Sequence, residues 1–490
     1  MSALCPFALL AVTEHALWLG ALAIAVYAAY TAVYLLLQRR SPQATLAWLL
    51  LLLFLPGVGL FFYYLIGLRV GRRRQRRQRA LSAVAPRGEQ DPGVGAPEAL
   101  GLPTDACQVQ RMVTRTLGPS AALRQGRVRL LLDGTSKFVA LEEAIAAARH
   151  HAHLEYYIWE PDQTGTRLRD LLTERARDGV AVRVLLDGFG SINARRRFWR
   201  PLQEAGGQVA RFSPAFFRRW TPRMANFRTH RKIAVLDGRV AFTGGMNVSD
   251  VHDARRTGER AWRDTHLRLE GLACHGLQMV FLEDWYYATG YAPRGHAYFP
   301  LDEGGADPAV PVQVVSSGPD EQVLATHRLF FTAIGLARQR VLLTSAYFVP
   351  DEALLEALMS AAQRGVDVRI LVPERGDVPI VAAAARSYFL ELVRAGVQVL
   401  EYRDPVLHAK TLVVDDWLAY VGSANFDNRS FKLNFEVGCT THDPRACQVL
   451  AAAFEADEAR AARVSGQALL RQGLPQRLFQ ATARLFAPLL

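Results

Sequence analysis

HRKIAVLD at residues 230–237 and HAKTLVVD at residues 408–415 are one text written twice. Each reads H-x-K-x-x-x-x-D: His230, Lys232 and Asp237 in the first, His408, Lys410 and Asp415 in the second. At the same distance downstream each is followed by a glycine turn ending in asparagine, GGMN closing on Asn247 and GSAN closing on Asn425. Of the 58 lysines and arginines only four are lysine, and two of the four sit in these motifs. A chain that uses arginine nearly everywhere else keeps lysine where a compact ammonium is needed and a planar guanidinium does not fit.

The duplication extends beyond the motifs. ARDGVAVRVLLD (176–187) parallels AQRGVDVRILVP (362–373), and the aromatic pair Tyr156-Tyr157 parallels Tyr347-Phe348. Short Val/Ile/Leu runs alternate with helical stretches such as Leu168 to Arg177 and Glu352 to Gln363, which predicts α/β units around a largely buried sheet. Each motif is expected on a hairpin, turning at Asp237-Gly238 and at Asp415-Asp416. Strand alternation then puts His230 and Lys232 on one face. The fold expected is α/β: two similar halves packed as an intrachain pseudo-dimer, bringing both motifs to one cleft.

Two histidines and two lysines in one cleft suit transfer at a phosphodiester. One imidazole attacks phosphorus, the other protonates the leaving alkoxide, and the lysines with Asn247 and Asn425 hold the non-bridging oxygens. Metal binding by the histidines is the rival reading, opposed by the neighbouring lysines, so no metal and no cofactor is expected. A nucleophilic imidazole needs a carboxylate on its other nitrogen. Asp237 and Asp415 are committed to their turns, which leaves Asp264 in WRDTH and Glu436 in NFE; spacing alone suits surface ion pairs for these two equally well.

At this point the residues resemble a family. The paired motifs resemble the phospholipase D superfamily. NFRTHRK (226–232), AFTGG (241–245), WRDTHLR (262–268), FLEDWY (281–286), YFVPD (347–351), VGSAN (421–425) and FKLNFE (431–436) resemble bacterial cardiolipin synthases. The resemblance covers the N-terminal apolar segments and nearly everything from Val128 to Ala462. It implies that two phosphatidylglycerols give cardiolipin and glycerol through a phosphatidyl-histidine intermediate. It also implies that Asp264 and Glu436 orient the histidines, that the motif aspartates are structural, and that His230 is the nucleophile with His408 as general acid and base. Symmetry of the text cannot fix that order. Lys432 stands where arginine is common, and the tract VSDVHDAR (248–255) is unlike the usual family text. A hydrolytic phospholipase D, a nuclease of the superfamily and a non-catalytic lipid-binding scaffold are the alternatives.

The remainder of the chain points to a membrane. The net charge of +12 calls for an anionic partner, nucleic acid or acidic lipid. No residue is charged from Ala16 to Leu37 or from Ala44 to Leu68, two runs of membrane-spanning length, with Pro56, Gly57 and Gly59 leaving a kinked or re-entrant second run open. A cleavable signal is the alternative for the first run, disfavoured because no basic segment precedes it. Seven arginines between Arg69 and Arg79, against Arg39 and Arg40 in the connecting loop, place all that follows residue 68 in the cytoplasm; the resemblance implies that the membrane is the inner membrane of a bacterial cell. Phosphatidylglycerol and anionic membrane lipids are then the expected partners, with no nucleic acid; the oligomeric state stays open. Five widely spaced cysteines indicate neither disulfides nor zinc.

The expected layout is a transmembrane hairpin over 1–70, a basic cluster and flexible linker over 71–106, a first half over 107–305, a second over 306–465 and an amphipathic segment over 466–490. Within it, basic and aromatic residues interleave at Arg195–Arg200 and at Phe216–Trp220. Such stretches suit stacked single strands, a lipid interface or core aromatics under a solvated face. Leu474, Leu478, Leu485, Phe486 and Leu489 fall near helical spacing, for a surface helix or one packed on the core.

Overall fold

The computed structural model describes residues 6–38, 42–63, 100–117, 121–212, 228–302, 304–305, 308–319, 324–403 and 406–488. The N-terminal helices form a unit of their own. A helix runs Pro6–Leu37, and its Leu17–Leu37 part is, among the described residues, the one helix long and apolar enough to cross a membrane. At ~1.5 Å per residue such a length matches a hydrocarbon core. The second apolar run is not one continuous helix. It divides into Pro42–Phe54 and Pro56–Phe62, because Pro56 has no N–H to continue the ladder and Leu55 leaves the helical region at φ −137°. Leu35, Leu52 and Tyr63 are buried inside this unit, with Trp48 edge-on to Tyr63 at 5.5 Å. The arginine cluster after residue 68 lies outside the described residues.

The second unit is built on one sheet of fifteen strands. From its edge inward, the first half runs Gln208–Arg211, Ala181–Leu186, His151–Tyr156, Lys232–Leu236, Val240–Gly244, His266–Glu270 and Arg124–Leu131. The second half repeats that order with Gln398–Tyr402, Asp367–Pro373, Arg340–Ser345, Lys410–Val414, Leu418–Gly422, Glu436–Thr441 and Val310–Ser317, and adds Ala461–Arg463 at its rim. The halves meet where the two equivalent strands pair antiparallel, Arg124 opposite Val312 and Gly126 opposite Val310. Antiparallel pairing of equivalent strands is a local two-fold, so the duplicated text folds as a pseudo-dimer.

Both faces of the sheet are covered, which is why its central strands are continuous apolar runs rather than alternating ones. Val184 and Ala234 pack under the helices Gly134–Ala147 and Gln163–Arg177, whereas their neighbours Leu185, Ile233 and Val235 pack on the opposite face under Cys274–Thr289. That second layer is shared: Phe281 and Trp285 belong to one apolar cluster with Leu407, Val437 and Phe454 of the other half. Truncating Phe281, fully buried there, would cost ~3–5 kcal/mol.

One expectation is corrected here, and one left open is decided. The linker ends earlier than residue 106, because a helix spans Thr104–Leu117 and buries Ala106, Val109 and Val113 against Leu329, Phe330 and Ala333 of the second half. The aromatics of Arg195–Arg200 are core residues: Phe198 and Trp199 lie on the buried side of the helix Arg196–Glu204, Trp199 against Trp159 at 4.9 Å. Neither ring is available to stack on a base or enter a lipid interface. The companion stretch Phe216–Trp220 lies outside the described residues. Cys107, Cys274, Cys439 and Cys447 are buried, and among the described residues none forms a disulfide.

Candidate active site

The two motif hairpins are locked from behind by their aspartates. Asp237 and Asp415 both adopt positive φ, 54° and 51°, a region asparagine and aspartate tolerate better than other non-glycine residues. The Asp237 carboxylate accepts from the backbone N–H groups of Arg149, His150 and His151, each at 2.8 Å. Asp415 does the same for Arg338, Gln339 and Arg340, at 3.1, 2.8 and 2.9 Å. Each thus ties a turn to the start of the neighbouring strand, at the opposite end of the hairpin from the histidine.

At the other end the halves clamp one another. The backbone N–H of His230 donates to the carbonyl of Phe435 at 2.8 Å, and that of His408 donates to the carbonyl of Arg263 at 2.7 Å. Phe435 immediately precedes Glu436, and Arg263 immediately precedes Asp264. Each histidine therefore meets the acid of the opposite half. Glu436 accepts from His230 Nδ1 at 3.0 Å, and Asp264 accepts from His408 Nδ1 at 2.6 Å. A ring that donates from Nδ1 presents the Nε2 lone pair, the form required to attack or to take a proton.

The two acids are held differently. Glu436 also accepts from Ser423 Oγ at 2.5 Å and from Asn434 Nδ2 at 3.1 Å. Asp264 accepts from the Thr265 backbone N–H at 2.7 Å and has Gly245 where the second half has Ser423. A Cβ at Gly245 would lie 2.1 Å from Asp264 Oδ1, so glycine is required for the shorter acid to reach its histidine. His252, from the unusual tract, stands with Nδ1 at 3.9 Å from Asp264, its ring 5.6 Å from that of His408.

Lys232 and Lys410 are fully buried and donate to the carbonyls of His230 and His408, the first at 2.8 Å. Burial, only partly offset by Glu436 and Asp264, pushes Lys232 down to about 7 and Lys410 to about 8. Burial and the adjacent Lys410 likewise push His408 to about 4, and burial lowers His230. Burial would raise Asp264 and Glu436, but Lys410 and His408 for the first, and His230 and Lys232 for the second, outweigh it and keep both ionised. These mutual influences place all six groups in one electrostatic site. The chain brings together two carboxylate-oriented imidazoles and two ammonium groups, the set that phosphoryl-centred transfer needs.

Asn247 and Asn425 are buried at the ends of their turns. Asn247 Oδ1 accepts from the Ile158 N–H at 3.2 Å, and Ser430 Oγ accepts from the Asn425 N–H at 3.1 Å. His252, Asp264 and His408 are the one group among the described residues with metal-ligand geometry, their donor atoms within 4.8 Å of one another. The fit is poor: Asp264 is already engaged by His408, and the charge of Lys410 bears on the same carboxylate and opposes a cation.

Sequence reasoning missed several neighbours. Tyr157 stands edge-on to His230 at 5.0 Å, and Trp262 flanks His408 at 5.4 Å. Arg231, the middle residue of the first motif, is buried between Asp284 and the Glu436 carbonyl. Lys137 is fully buried, 3.5 Å from the Asn247 carbonyl, with its ammonium 3.8 Å from the Phe138 ring centroid. The scarcity of lysine that exposed Lys232 and Lys410 would have exposed Lys137 as well.

Comparison with known proteins bears on the family. The chain matches the family described as cardiolipin synthase, PLD-like domain, over residues 141–252 and 330–458, and phospholipase D-nuclease N-terminal over 23–67. It is 37% identical to cardiolipin synthase 1 of Bacillus anthracis over 93% of this chain and 90% of that one. It is 36% identical to a cardiolipin synthase of Geobacillus sp. over 96% and 94%. Among solved structures, phosphatidylserine synthase of Haemophilus influenzae shares the fold at a TM-score of 0.58 and 16% identity, covering 78% of this chain and 100% of that one. With two motif-bearing halves closed on one site and relatives matched over at least 93% of its length, the chain belongs to the bacterial cardiolipin synthases of the phospholipase D superfamily.

Proposed function

We infer that this chain is a phosphatidyltransferase that makes cardiolipin and glycerol from two molecules of phosphatidylglycerol. The observation that carries the chemistry is the pair of His–carboxylate contacts built across the two halves, His230 with Glu436 and His408 with Asp264. His230 Nε2 attacks the phosphorus of the first lipid, and the bond to the glycerol oxygen breaks as His408 delivers a proton to it. The hydroxyl of the second lipid then attacks the phosphatidyl-histidine, gives its proton to His408 and releases His230. Lys232, Lys410, Asn247 and Asn425 hold the non-bridging oxygens.

The low proton affinity of His408 suits this cycle. An arriving phosphodiester anion faces Lys410 and Lys232, offsets their charge and raises the affinity of His408 at the moment it must act as an acid. Asp237 and Asp415 support the hairpins and take no part in the chemistry.

The proposal places the chain in the bacterial inner membrane as a multi-pass protein over residues 1–70, with linker, halves and C-terminal segment facing the cytoplasm. The Leu17–Leu37 helix and the arginine excess after residue 68 support that placement. Phosphatidylglycerol and other anionic lipids are its partners, and nucleic acid is not.

Mass-spectrometric product identification after incubation with phosphatidylglycerol vesicles tests the reading, with and without EDTA. Cardiolipin and glycerol in equal amounts, unchanged by chelation, are expected. Phosphatidic acid as the main product would make the protein a hydrolase, and a metal requirement would overturn the mechanism.

A further inference from the structure

Beyond Glu458 the sequence contains five arginines and no acidic residue. Within this stretch the helix Leu474–Leu485 packs along the helix Pro379–Arg394, and it does so with small side chains. Gln480, Ala483 and Ala487 are buried, with Ala483 and Ala487 in the core of the second half. Arg484 fixes the contact, bridging to Glu391 at 2.9 Å and lying 4.2 Å from the Tyr388 ring centroid.

The large apolar residues are on the other side. Leu474, Leu478, Phe479, Leu485 and Phe486 are all exposed; Leu485 is 79% exposed two positions from Ala483, which is 1% exposed. At ~100° per residue these five fall in a sector roughly 140° wide. The helix thus has two apolar faces, one of alanines turned to the core and one of leucines and phenylalanines turned outward. Arg471 and Arg477, both exposed, accompany the outward face.

We propose that this outward face docks on an anionic phospholipid surface, seating the second half on the leaflet from which substrate is drawn. The inference rests on the cardiolipin synthase reading for the identity of the lipid. Leucine and phenylalanine at acyl depth with arginines at phosphate depth is the composition of an interfacial helix. A second copy of the chain is a poorer occupant, because a two-fold contact through this face would set the same arginines against one another. The supporting helix also leads to the site. It starts after Val378, and the preceding Asp377 accepts from the Tyr347 hydroxyl at 2.8 Å and acts electrostatically on Lys410.

The test uses the full-length protein reconstituted in vesicles of phosphatidylglycerol and phosphatidylcholine. With p-benzoylphenylalanine in place of Phe479 or Phe486, irradiation should give adducts whose added mass is that of a phospholipid. Adducts joining two protein chains, or no lipid adduct at either position, would overturn the proposal. A second arm compares Leu478→Glu/Leu485→Glu with the unaltered protein. Turnover of phosphatidylglycerol diluted in bilayers should fall at least tenfold, while turnover in detergent mixed micelles should stay within about twofold; equal loss in both, or loss in neither, would count against docking. If the unaltered protein made no cardiolipin, the function would fail, yet the lipid adducts would still decide whether the helix docks.

Discussion

Asp264 of the first half and His408 of the second are joined by a 2.6 Å hydrogen bond, so the acid that fixes one histidine is supplied by the other copy of the repeat. Asp264→Asn keeps the shape but lets the amide donate to Nδ1, which moves the ring proton to Nε2 and removes the lone pair needed to accept a proton from the second lipid. A fall in kcat of about a hundredfold or more is expected with little change in Tm, in line with removing an orienting acid behind a catalytic histidine. Activity within a fewfold of the parent would mean that the contact is structural only.

Gly245 offers a second route to the same contact. Its three nearest non-neighbouring atoms all belong to the Asp264 carboxylate, so Gly245→Ser displaces that carboxylate although Ser423 stands at the equivalent place in the other half. Ser423→Gly loses only a hydroxyl donor to Glu436. Steady-state assays of the two variants should show Gly245→Ser severely impaired and Ser423→Gly moderately so; the reverse order would contradict the asymmetry.

The motif aspartates should behave as stability residues. Asp237→Ala or Asp415→Ala removes the acceptor of three backbone N–H groups and puts alanine at positive φ; water replaces the carboxylate at the more exposed groups, so the loss is ~1–3 kcal/mol. Thermal melts should drop, while the fraction that remains folded turns over substrate. A histidine variant should do the opposite, keeping its Tm and losing turnover.

The buried lysines set the alkaline side of the pH profile. An ammonium is present below its pKa, so as pH rises through about 7 for Lys232 and about 8 for Lys410 the free site loses the charges that attract phosphate. On the acid side, His230 is lowered below 6.5 by burial and stays neutral, hence nucleophilic, down into mildly acidic solution. kcat/KM should therefore fall as pH rises through about 7 to 8, and kcat, which reports the site with phosphate bound, should fall at higher pH. A kcat/KM flat to pH 10 would show that the lysine charges do not matter.

Much of this was legible in the text. The repeated H-x-K-x-x-x-x-D segments predict paired hairpins, and the term-for-term repetition of seven strands follows from the same duplication. Asp264 and Glu436 were candidates by their place after each motif, though spacing alone suited surface ion pairs equally well. Which acid serves which histidine was not, because crossing between halves is a property of the joint at Arg124–Leu131 and Val310–Ser317 and leaves no trace in local spacing. The helix Thr104–Leu117 was hidden for a related reason: it precedes the first half but buries its apolar side on the second. The break before Pro56 was flagged by composition alone, whereas the burial of Phe198 and Trp199 among arginines required the helix face to be known.

The central claim is that the two histidines, alike in sequence, do different work on one phosphorus. A phosphatidyl donor with an activated leaving group, such as a nitrophenyl ester, needs no proton from His408. With that donor His408→Ala should release one equivalent of leaving group and hold a phosphatidyl adduct on His230, detectable by peptide mass spectrometry without acid treatment, while His230→Ala should release none. An adduct on neither histidine under those conditions would contradict covalent transfer and require direct displacement by the second lipid.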